Sequence, residues 1–245
     1  MIIQACLNGA RTSSYHPALP VTSEALAHDG AASIGAGASE LHFHPRAADG
    51  RESLSPATID AAVLAMRNAC PGTLIGVSTG EWIEGNAQRT RDLIAGWRVL
   101  PDYASVNLSE HDAPALMDLL RQLGIRIEAG LASVADAARL TGLPGHNRIL
   151  RVLIEISEQE LGESHEIAEG ISTVLQRAGL HKPILLHGFD ETVWQFVNLA
   201  AEQRWSTRVG LEDGRTLPDG SIAQDNAALV AAALEIFRSV RANAG

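Results

Sequence analysis

The 245-residue chain has only two cysteines, Cys6 and Cys70, and both lie within apolar patterns. We expect buried free thiols in a reducing compartment rather than a disulfide. No run approaches the roughly 18 apolar residues of a membrane-spanning helix, and no basic segment followed by an apolar one begins the chain. The sequence therefore predicts neither membrane association nor a secretory leader, and we expect a cytoplasmic protein.

Positive charge is also scarce, since 19 Lys and Arg residues face 29 Asp and Glu residues and the formal net charge is −10. A nucleic-acid interface would need a basic stripe, so we expect no nucleic-acid partner. An anionic small molecule is not excluded, because one local arginine can outweigh a distant acidic surface. No Pro/Ser-rich linker, low-complexity tract or charge block divides the sequence, so residues 1–245 are predicted to form a single domain.

The sequence does contain a strand pattern followed by a helix pattern, repeated eight times at roughly 30-residue spacing. The first strand is predicted over residues 2–7 and the fifth over residues 126–128. Strands rich in Ile, Leu and Val indicate a parallel sheet that is buried on both faces. An open doubly wound sheet is the alternative, but no G-x-G-x-x-G follows the first strand. Eight units in a chain close to about 250 residues favour an α/β fold consisting of a single (β/α)8 TIM barrel.

Two histidines, His42 and His44, lie at the end of the predicted second strand. Their side chains are at i and i+2, on one face of the strand, where they could hold one metal ion. Two surface or hydrogen-bonded histidines would give the same pattern. A catalytic metal site would need a further ligand, for which Glu212 is the first candidate and His187 the second. Two imidazoles and a carboxylate favour zinc, although iron(II) has a comparable ligand set.

Polar residues also follow most of the other predicted strands. The carboxyl ends of barrel strands meet at one mouth, where such enzymes react, and burying polar groups unpaired is costly. The candidates are Asn8, His42, His44, Ser78, Asn107, Glu128, Glu155, His187, Arg208, Glu212 and Asp213. For Asn8 and Ser78, helix capping or a supporting hydrogen bond explains the residue equally well.

Arg208 and Asp213 belong to one six-residue stretch, R-V-G-L-E-D, that combines a cation with two carboxylates. Arg208 could bind a substrate carboxylate, or it could orient Asp213 as a general base. A strand-end salt bridge followed by a helix cap is the alternative interpretation.

Several of these motifs together resemble one known family, the β-keto acid cleavage enzymes. They are H-x-H-x-R ending at Arg46, D-G-R at residues 49–51, N-G-A at 8–10, S-V-N-L at 105–108, E-A-G at 128–130 and R-V-G-L-E-D at 208–213. The resemblance spans almost the whole chain. It implies a zinc-binding β/α barrel, commonly a tetramer, that condenses a β-keto acid with acetyl-CoA and releases acetoacetate and a new acyl-CoA. The expected partners are therefore a small β-keto acid, acetyl-CoA as co-substrate and further copies of the chain.

The resemblance also implies roles for individual residues. It implies zinc ligands at His42, His44 and Glu212, and catalytic residues at Arg208, Asp213 and Glu128. The substrate-binding candidates are Ser78, Asn107, Asn8 and Arg46, with Asn107 at the position of a family threonine.

The sequence departs from the family pattern in three places. Residues 11–14 (R-T-S-S) occupy the position at which enzymes cleaving an aminohexanoate have an acid for the substrate amine, so a substrate with a neutral or anionic tail is expected. Asp213 is followed by Gly214 rather than by asparagine, and the chain is shorter than typical members. A metal-dependent aldolase or hydrolase that uses no CoA, and a non-catalytic metal- or metabolite-binding barrel, are the alternative functions.

Overall fold

Strands and α-helices alternate along residues 1–243, which are the part of the chain that the computed structural model describes. The strands are β1 (Ile3–Cys6), β2 (Glu40–Phe43), β3 (Leu74–Ser78), β4 (Tyr103–Asn107), β5 (Arg126–Leu131), β6 (Arg151–Ile156), β7 (Ile184–Gly188) and β8 (Ser206–Val209). The helices are α1 (Ser23–Gly35), α2 (Pro56–Ala69), α3 (Ala87–Ala95), α4 (Ala113–Gln122), α5 (Val134–Gly142), α6 (Leu161–Arg177), α7 (Val193–Glu202) and α8 (Asn226–Asn243). A short 3₁₀ helix, Asp190–Thr192, precedes α7.

All neighbouring strands are parallel, and they follow one another around the sheet in chain order. The sheet closes because β8 pairs with β1, with Ile3 opposite Thr207 and Ala5 opposite Val209. The prediction of a single (β/α)8 TIM barrel is thus confirmed, and the open doubly wound alternative is wrong. A closed barrel brings the carboxyl ends of distant strands to one mouth.

Helix α2 shows how local sequence fixes the outer layer of the barrel. Ser55 caps its first turn by accepting a hydrogen bond from the backbone N–H of Thr58, and Pro56 occupies the first turn, where no N–H is needed. Its buried face consists of residues at helical spacing, namely Ile59, Ala62, Val63 and Met66. Burying each large aliphatic side chain stabilises the fold by roughly 1.5–3 kcal/mol.

The interior of the barrel is unusually polar for this fold, whose inward positions are mostly branched apolar residues. Gln4 of β1 donates hydrogen bonds to Glu40 of β2 and to Glu128 of β5, across the inside of the sheet. Apolar residues between these positions, such as Leu41 and Ala5, are fully buried in the hydrophobic core. Charged side chains inside a barrel are costly unless they are paired, so their contacts define the site described below.

The fifth strand is longer than the sequence predicted. Residues 129–131 continue the ladder, since Ala129 lies opposite Val106 and Val152 and Gly130 lies opposite Asn107 and Leu153. These small residues form an ordinary buried strand rather than the start of a loop. Glu128 therefore lies in the middle of β5 and not at its carboxyl end, which corrects the predicted boundary at residue 128.

The structure also bears on two predictions drawn from absences. Cys6 and Cys70 are both buried and form no disulfide with each other. Within the 243 described residues, no helix is both long and apolar enough to cross a membrane.

Candidate metal centre and active site

Three buried side chains converge at the carboxyl end of the barrel. His42 and His44 lie at the end of β2, and Glu212 lies just after β8 on the other side of β1. One ligand atom from each residue lies within 4.8 Å of the other two. The Glu212 carboxylate oxygens are 4.0 Å from His42 Nε2 and 3.5 Å from His44 Nε2. The structure thus brings together the three residues that the sequence singled out as metal ligands.

The state of these groups fits a divalent cation. Buried Oε2 of Glu212 and Nδ1 of His42 have no hydrogen-bond partner, and a buried polar atom left unpaired costs about 1–3 kcal/mol. Burial lowers the pKa of His42 to about 3, so its imidazole is neutral and able to act as a ligand at neutral pH. Burial also disfavours a charge on His44, but the neighbouring Glu212 and Glu52 carboxylates outweigh it and raise its pKa to about 9. Two nitrogens and one carboxylate are a donor set suited to zinc or iron(II).

Arg208 lies next to this cluster and is almost completely buried on β8. Its guanidinium donates from Nε and Nη2 to Asp213 Oδ1, at 3.2 and 2.6 Å, and from Nη2 to Glu212 Oε1 at 2.5 Å. The carboxylates around it keep the pKa of Arg208 above its usual range even though burial acts to lower it. Of the two roles expected for Arg208, orientation of Asp213 matches these contacts.

Asp213 is held at one oxygen only. Oδ1 receives both hydrogen bonds from Arg208, whereas buried Oδ2 has no partner. A carboxylate fixed in this way has one oxygen free to accept a proton, which is the geometry that a general base requires.

His187 lies against Asp213 rather than in the histidine–glutamate cluster. Its Nδ1 is 3.4 Å from Asp213 Oδ1, and its Nε2 is 3.4 Å from Glu155 Oε2. Burial acts to lower the pKa of His187, but the two carboxylates raise it overall. The search that grouped His42, His44 and Glu212 does not include His187, the second candidate for a metal ligand, among residues 1–243.

Two substrate-binding candidates have their side chains at the strand ends. Ser78 closes β3 and is 3% exposed, and its Oγ accepts a hydrogen bond from the Gly80 N–H at 3.3 Å. Asn107 closes β4 and donates from Nδ2 to Glu110 Oε1 at 3.2 Å.

The other two candidates, Asn8 and Arg46, hold the loops in place. Asn8 accepts a hydrogen bond from the His44 N–H and donates to the His44 carbonyl oxygen, both at 2.9 Å. Arg46 donates to the carbonyl oxygens of Gly9 and Arg11, each at 2.7 Å. These contacts occupy most of the polar atoms of both side chains.

Glu128, predicted to be catalytic, is part of a separate group deeper in the barrel. Its Oε2 is 2.6 Å from Arg151 Nε and accepts a hydrogen bond from Gln4. Arg151 also pairs with Glu40, and its guanidinium lies over the ring of Tyr103. We call Gln4, Glu40, Tyr103, Glu128 and Arg151 the lower network. The structure does not bring Glu128 to the mouth, because its strand continues three residues beyond it.

Glu52 and Trp82 are additional residues at the site that the sequence did not point to. Glu52 Oε1 lies 2.5 Å from His44 Nδ1, and its Oε2 accepts a hydrogen bond from Trp82 Nε1 at 3.2 Å. The indole of Trp82 stacks against the His44 ring. Both residues lie in loops, where no periodicity relates them to His44, and the only sequence signal is that Glu52 follows the D-G-R motif.

A cavity of about 460 Å³ opens beside these loops at the barrel mouth. It is bounded by the β1–α1, β2–α2 and β3–α3 connections, and its lining includes Thr12, Arg46, Arg51, Trp82 and Ile83. The chain thus has space for a small organic molecule next to the candidate ligand His44.

A histidine–histidine–glutamate cluster with an adjacent arginine–aspartate pair, at the mouth of a closed barrel, is the arrangement of a metal-dependent barrel enzyme. The chain belongs to the beta-keto acid cleavage enzyme family, whose model matches residues 1–244.

Individual relatives agree with this assignment. The chain is 25% identical over 254 aligned residues to the 3-keto-5-aminohexanoate cleavage enzyme of Fusobacterium nucleatum, covering 94% of this chain and 88% of that protein. The enzyme of the same name from Acetoanaerobium sticklandii is 36% identical over 81 residues, which are 33% of this chain and 30% of that protein.

Among solved structures, the ternary complex of ObcA with a C4-CoA adduct and oxalate superposes with a TM-score of 0.73 at 19% identity, over 91% of this chain and 64% of that chain. The binary complex of ObcA with oxaloacetate gives a TM-score of 0.70 at 19% identity, over 89% of this chain and 63% of that chain. This chain therefore spans slightly less than two thirds of the ObcA chains, and at this identity the likeness shows the fold alone.

Proposed function

We propose that this protein is a zinc-dependent β-keto acid cleavage enzyme that exchanges acyl groups between a β-keto acid and acetyl-CoA. The products would be acetoacetate and a new acyl-CoA. The observation that carries the proposal is the position of the half-free Asp213 carboxylate beside His42, His44 and Glu212. Membership of the family supports it independently.

In the first step, Oδ2 of Asp213 removes a proton from C2 of the bound β-keto acid. Arg208 holds Oδ1 throughout, so that the free oxygen stays directed at the substrate. A divalent ion held by His42, His44 and Glu212 would supply Lewis-acid polarisation of the keto oxygen when bound. The buried Arg208 guanidinium adds positive charge beside the site, which favours an anionic substrate.

The remaining steps exchange the acyl groups. The C2 carbanion attacks the thioester carbon of acetyl-CoA, and the CoA thiolate leaves. The thiolate then attacks the original keto carbon, the bond from that carbon to C2 breaks, and the new acyl-CoA forms. The proton returns from Asp213 to C2 of acetoacetate, so atoms and charge balance.

The remaining candidates have different places in this proposal. Ser78 and Asn107, at the ends of β3 and β4, are proposed to contact the substrate. Asn8 and Arg46 are proposed to support the site through the loops that they hold, and Glu128 through the lower network. Arg11 donates from Nε to the Glu212 carbonyl oxygen and pairs with Asp190 at the rim, which supports a neutral or anionic acyl tail.

Use of CoA is supported by the family and by the ObcA complex, which contains a C4-CoA adduct. The family resemblance also supports a homo-oligomer, with a tetramer as the proposed state. A cytoplasmic location is proposed because buried free cysteines suit a reducing compartment.

The test is to incubate the purified protein with acetyl-CoA and a panel of β-keto acids whose tails are neutral, anionic or cationic. Mass spectrometry should detect acetoacetate and the matching new thioester, with the cationic tail exchanged least. Cleavage without CoA, and without exchange in any panel member, would instead indicate a metal-dependent aldolase or hydrolase. Metal binding without turnover of any panel member would indicate a non-catalytic barrel.

A further inference from the structure

We propose that Glu52 and Trp82 are positioning residues that fix the imidazole of His44 as a metal ligand. Glu52 holds Nδ1 of the ring so that Nε2 is directed at Glu212, and Trp82 holds Glu52 in turn. The inference rests on the proposed metal centre and extends it to residues of two loops that contribute no candidate ligand.

The contact between Glu52 and His44 is short and enclosed. Glu52 Oε1 lies 2.5 Å from Nδ1, and the two side chains are only 12% and 5% exposed. The opposite nitrogen, Nε2, lies 3.5 Å from Glu212 Oε1. A carboxylate on one ring nitrogen places the proton there and leaves the lone pair of the other nitrogen for a cation, and it also makes that nitrogen more basic.

Trp82 restricts both members of this pair. Its indole N–H donates to Glu52 Oε2 at 3.2 Å, and its ring lies 6.3 Å from the His44 ring with an interplanar angle of 26°. Gly80 makes this position accessible, because a Cβ at residue 80 would lie 2.2 Å from the indole. Trp82 is 52% exposed and lines the cavity at the mouth, so the indole separates the candidate metal site from the space outside it.

His42 has no comparable support. Its Nδ1 lacks a hydrogen-bond partner among the described residues. The His44 backbone, in contrast, is held on both sides by Asn8. A change at Glu52 therefore leaves the backbone of His44 fixed and releases only its ring, so metal affinity should fall while the metal-free fold keeps its stability.

The experiment measures zinc affinity of metal-free protein by competition with a chromophoric chelator, alongside thermal melting of the metal-free form. Loss of a carboxylate of this kind typically weakens metal binding by about 10- to 100-fold, and we expect this of Glu52→Ala. Glu52→Gln should lose less, because its amide oxygen still accepts from Nδ1. Trp82→Phe should lose least, because the stacked ring remains and only the N–H donor is removed.

Glu84→Gln is the matched control. Glu84 has a side chain that is 8% exposed, lies in the same β3–α3 loop as Trp82 and bonds to Leu54 and Arg89 instead of His44. Its zinc affinity should equal that of the unmodified protein.

Each outcome decides the inference. Unchanged zinc affinity in both Glu52 variants would overturn it, and unchanged affinity in Trp82→Phe alone would remove Trp82 from the arrangement. If Glu52→Ala melts at a lower temperature without metal, Glu52→Gln decides the question, and an affinity loss no greater than that of Glu84→Gln counts against the proposal. Failure of the unmodified protein to bind zinc or iron(II) would refute the proposed metal centre itself, which is a distinguishable result.

Discussion

Two groups of charged residues lie inside the same barrel, and each is built around one buried arginine. In the lower network, Arg151 lies between the carboxylates of Glu40 and Glu128. At the mouth, Arg208 lies between the carboxylates of Glu212 and Asp213. The two arrangements share their charge pattern but differ in what surrounds it.

The lower network closes on itself. The Gln4 amide donates to both carboxylates and to the Tyr103 hydroxyl, and that hydroxyl donates to the Leu41 carbonyl oxygen. One carboxylate oxygen, Glu128 Oε1, remains without a hydrogen bond. A buried group whose charges pair with one another in this way is best explained by its contribution to the fold.

The mouth group is left open. Glu212 Oε2, Asp213 Oδ2 and His42 Nδ1 are buried without partners, although Arg208 is paired as fully as Arg151. Unpaired buried atoms at the catalytic end of a barrel need an external partner, such as a cation or a substrate. The comparison teaches that unmet bonding capacity at the mouth, rather than buried charge itself, distinguishes the candidate site.

The largest effect is expected from Asp213→Asn, which removes the free base of the mouth group. Asparagine can still accept from Arg208 through Oδ1, so zinc affinity should be kept while turnover falls by about 10²- to 10⁴-fold. Steady-state acyl exchange and metal content would be measured on the same preparation. Asp190→Asn, the same substitution at an exposed rim position, is the control. Retained turnover in Asp213→Asn would remove Asp213 from the role of base.

The next effect concerns the lower network. Arg151→Ala would leave Glu40 and Glu128 buried without a cation, and we expect the free energy of unfolding to fall by about 3–5 kcal/mol. Urea unfolding of the metal-free protein measures this. The folded fraction should retain its zinc affinity, because Arg151 does not contact the mouth group. A loss of turnover at unchanged stability would instead assign Glu128 and its partners to the active site.

Asn8→Ala should have a smaller effect on stability. It leaves the N–H and carbonyl oxygen of His44 without partners, at a cost of about 1–3 kcal/mol. The expected result is a lower unfolding free energy. An increase in the KM for the β-keto acid at unchanged stability would contradict this supporting role and make Asn8 a direct substrate contact.

The comparison also shows how far the sequence determines this molecule. The order of the strands, the position of His42 and His44 on one face and the proximity of Glu212 to Asp213 follow from periodicity and from the closure of eight units. The partners of Glu128 do not, because they depend on how strands slide against one another. The small residues 129–131 gave no sign that β5 continues past that carboxylate.

The Glu52–His44 contact was equally beyond a pattern-based prediction. Glu52 and Trp82 reach His44 from irregular loops, whose conformations depend on local contacts such as the hydrogen bond from Arg46 to the Gly50 carbonyl oxygen. Strand-end residues are predictable because the barrel fixes their direction, whereas loop residues that support them are not.

The smallest effect comes from a carboxylate that has no arginine partner among residues 1–243. Asp29 on α1 accepts a hydrogen bond from Asn226 at 2.6 Å, and burial raises its pKa to about 7. The folded protein therefore binds this proton more tightly than the unfolded chain, and the stabilisation present below about pH 4 is lost as the pH rises through 7. We expect a decrease on the order of 1–2 kcal/mol between pH 5 and 8, because Asp29 is partly exposed.

Asp29→Asn is the matching variant, since it keeps a hydrogen-bond acceptor for Asn226 and cannot ionise. Urea unfolding at several pH values should show a flatter pH dependence for this variant than for the unmodified protein. Identical slopes for the two proteins would mean that Asp29 does not retain its proton in the folded state.

The most direct test of the central claim is to titrate zinc into metal-free protein while acyl exchange between acetyl-CoA and a β-keto acid is followed. The account predicts exchange that rises in proportion to bound zinc up to one ion per chain, and no such rise in the Glu212→Gln variant. Full exchange activity in the metal-free protein, or an equal response in Glu212→Gln, would contradict it.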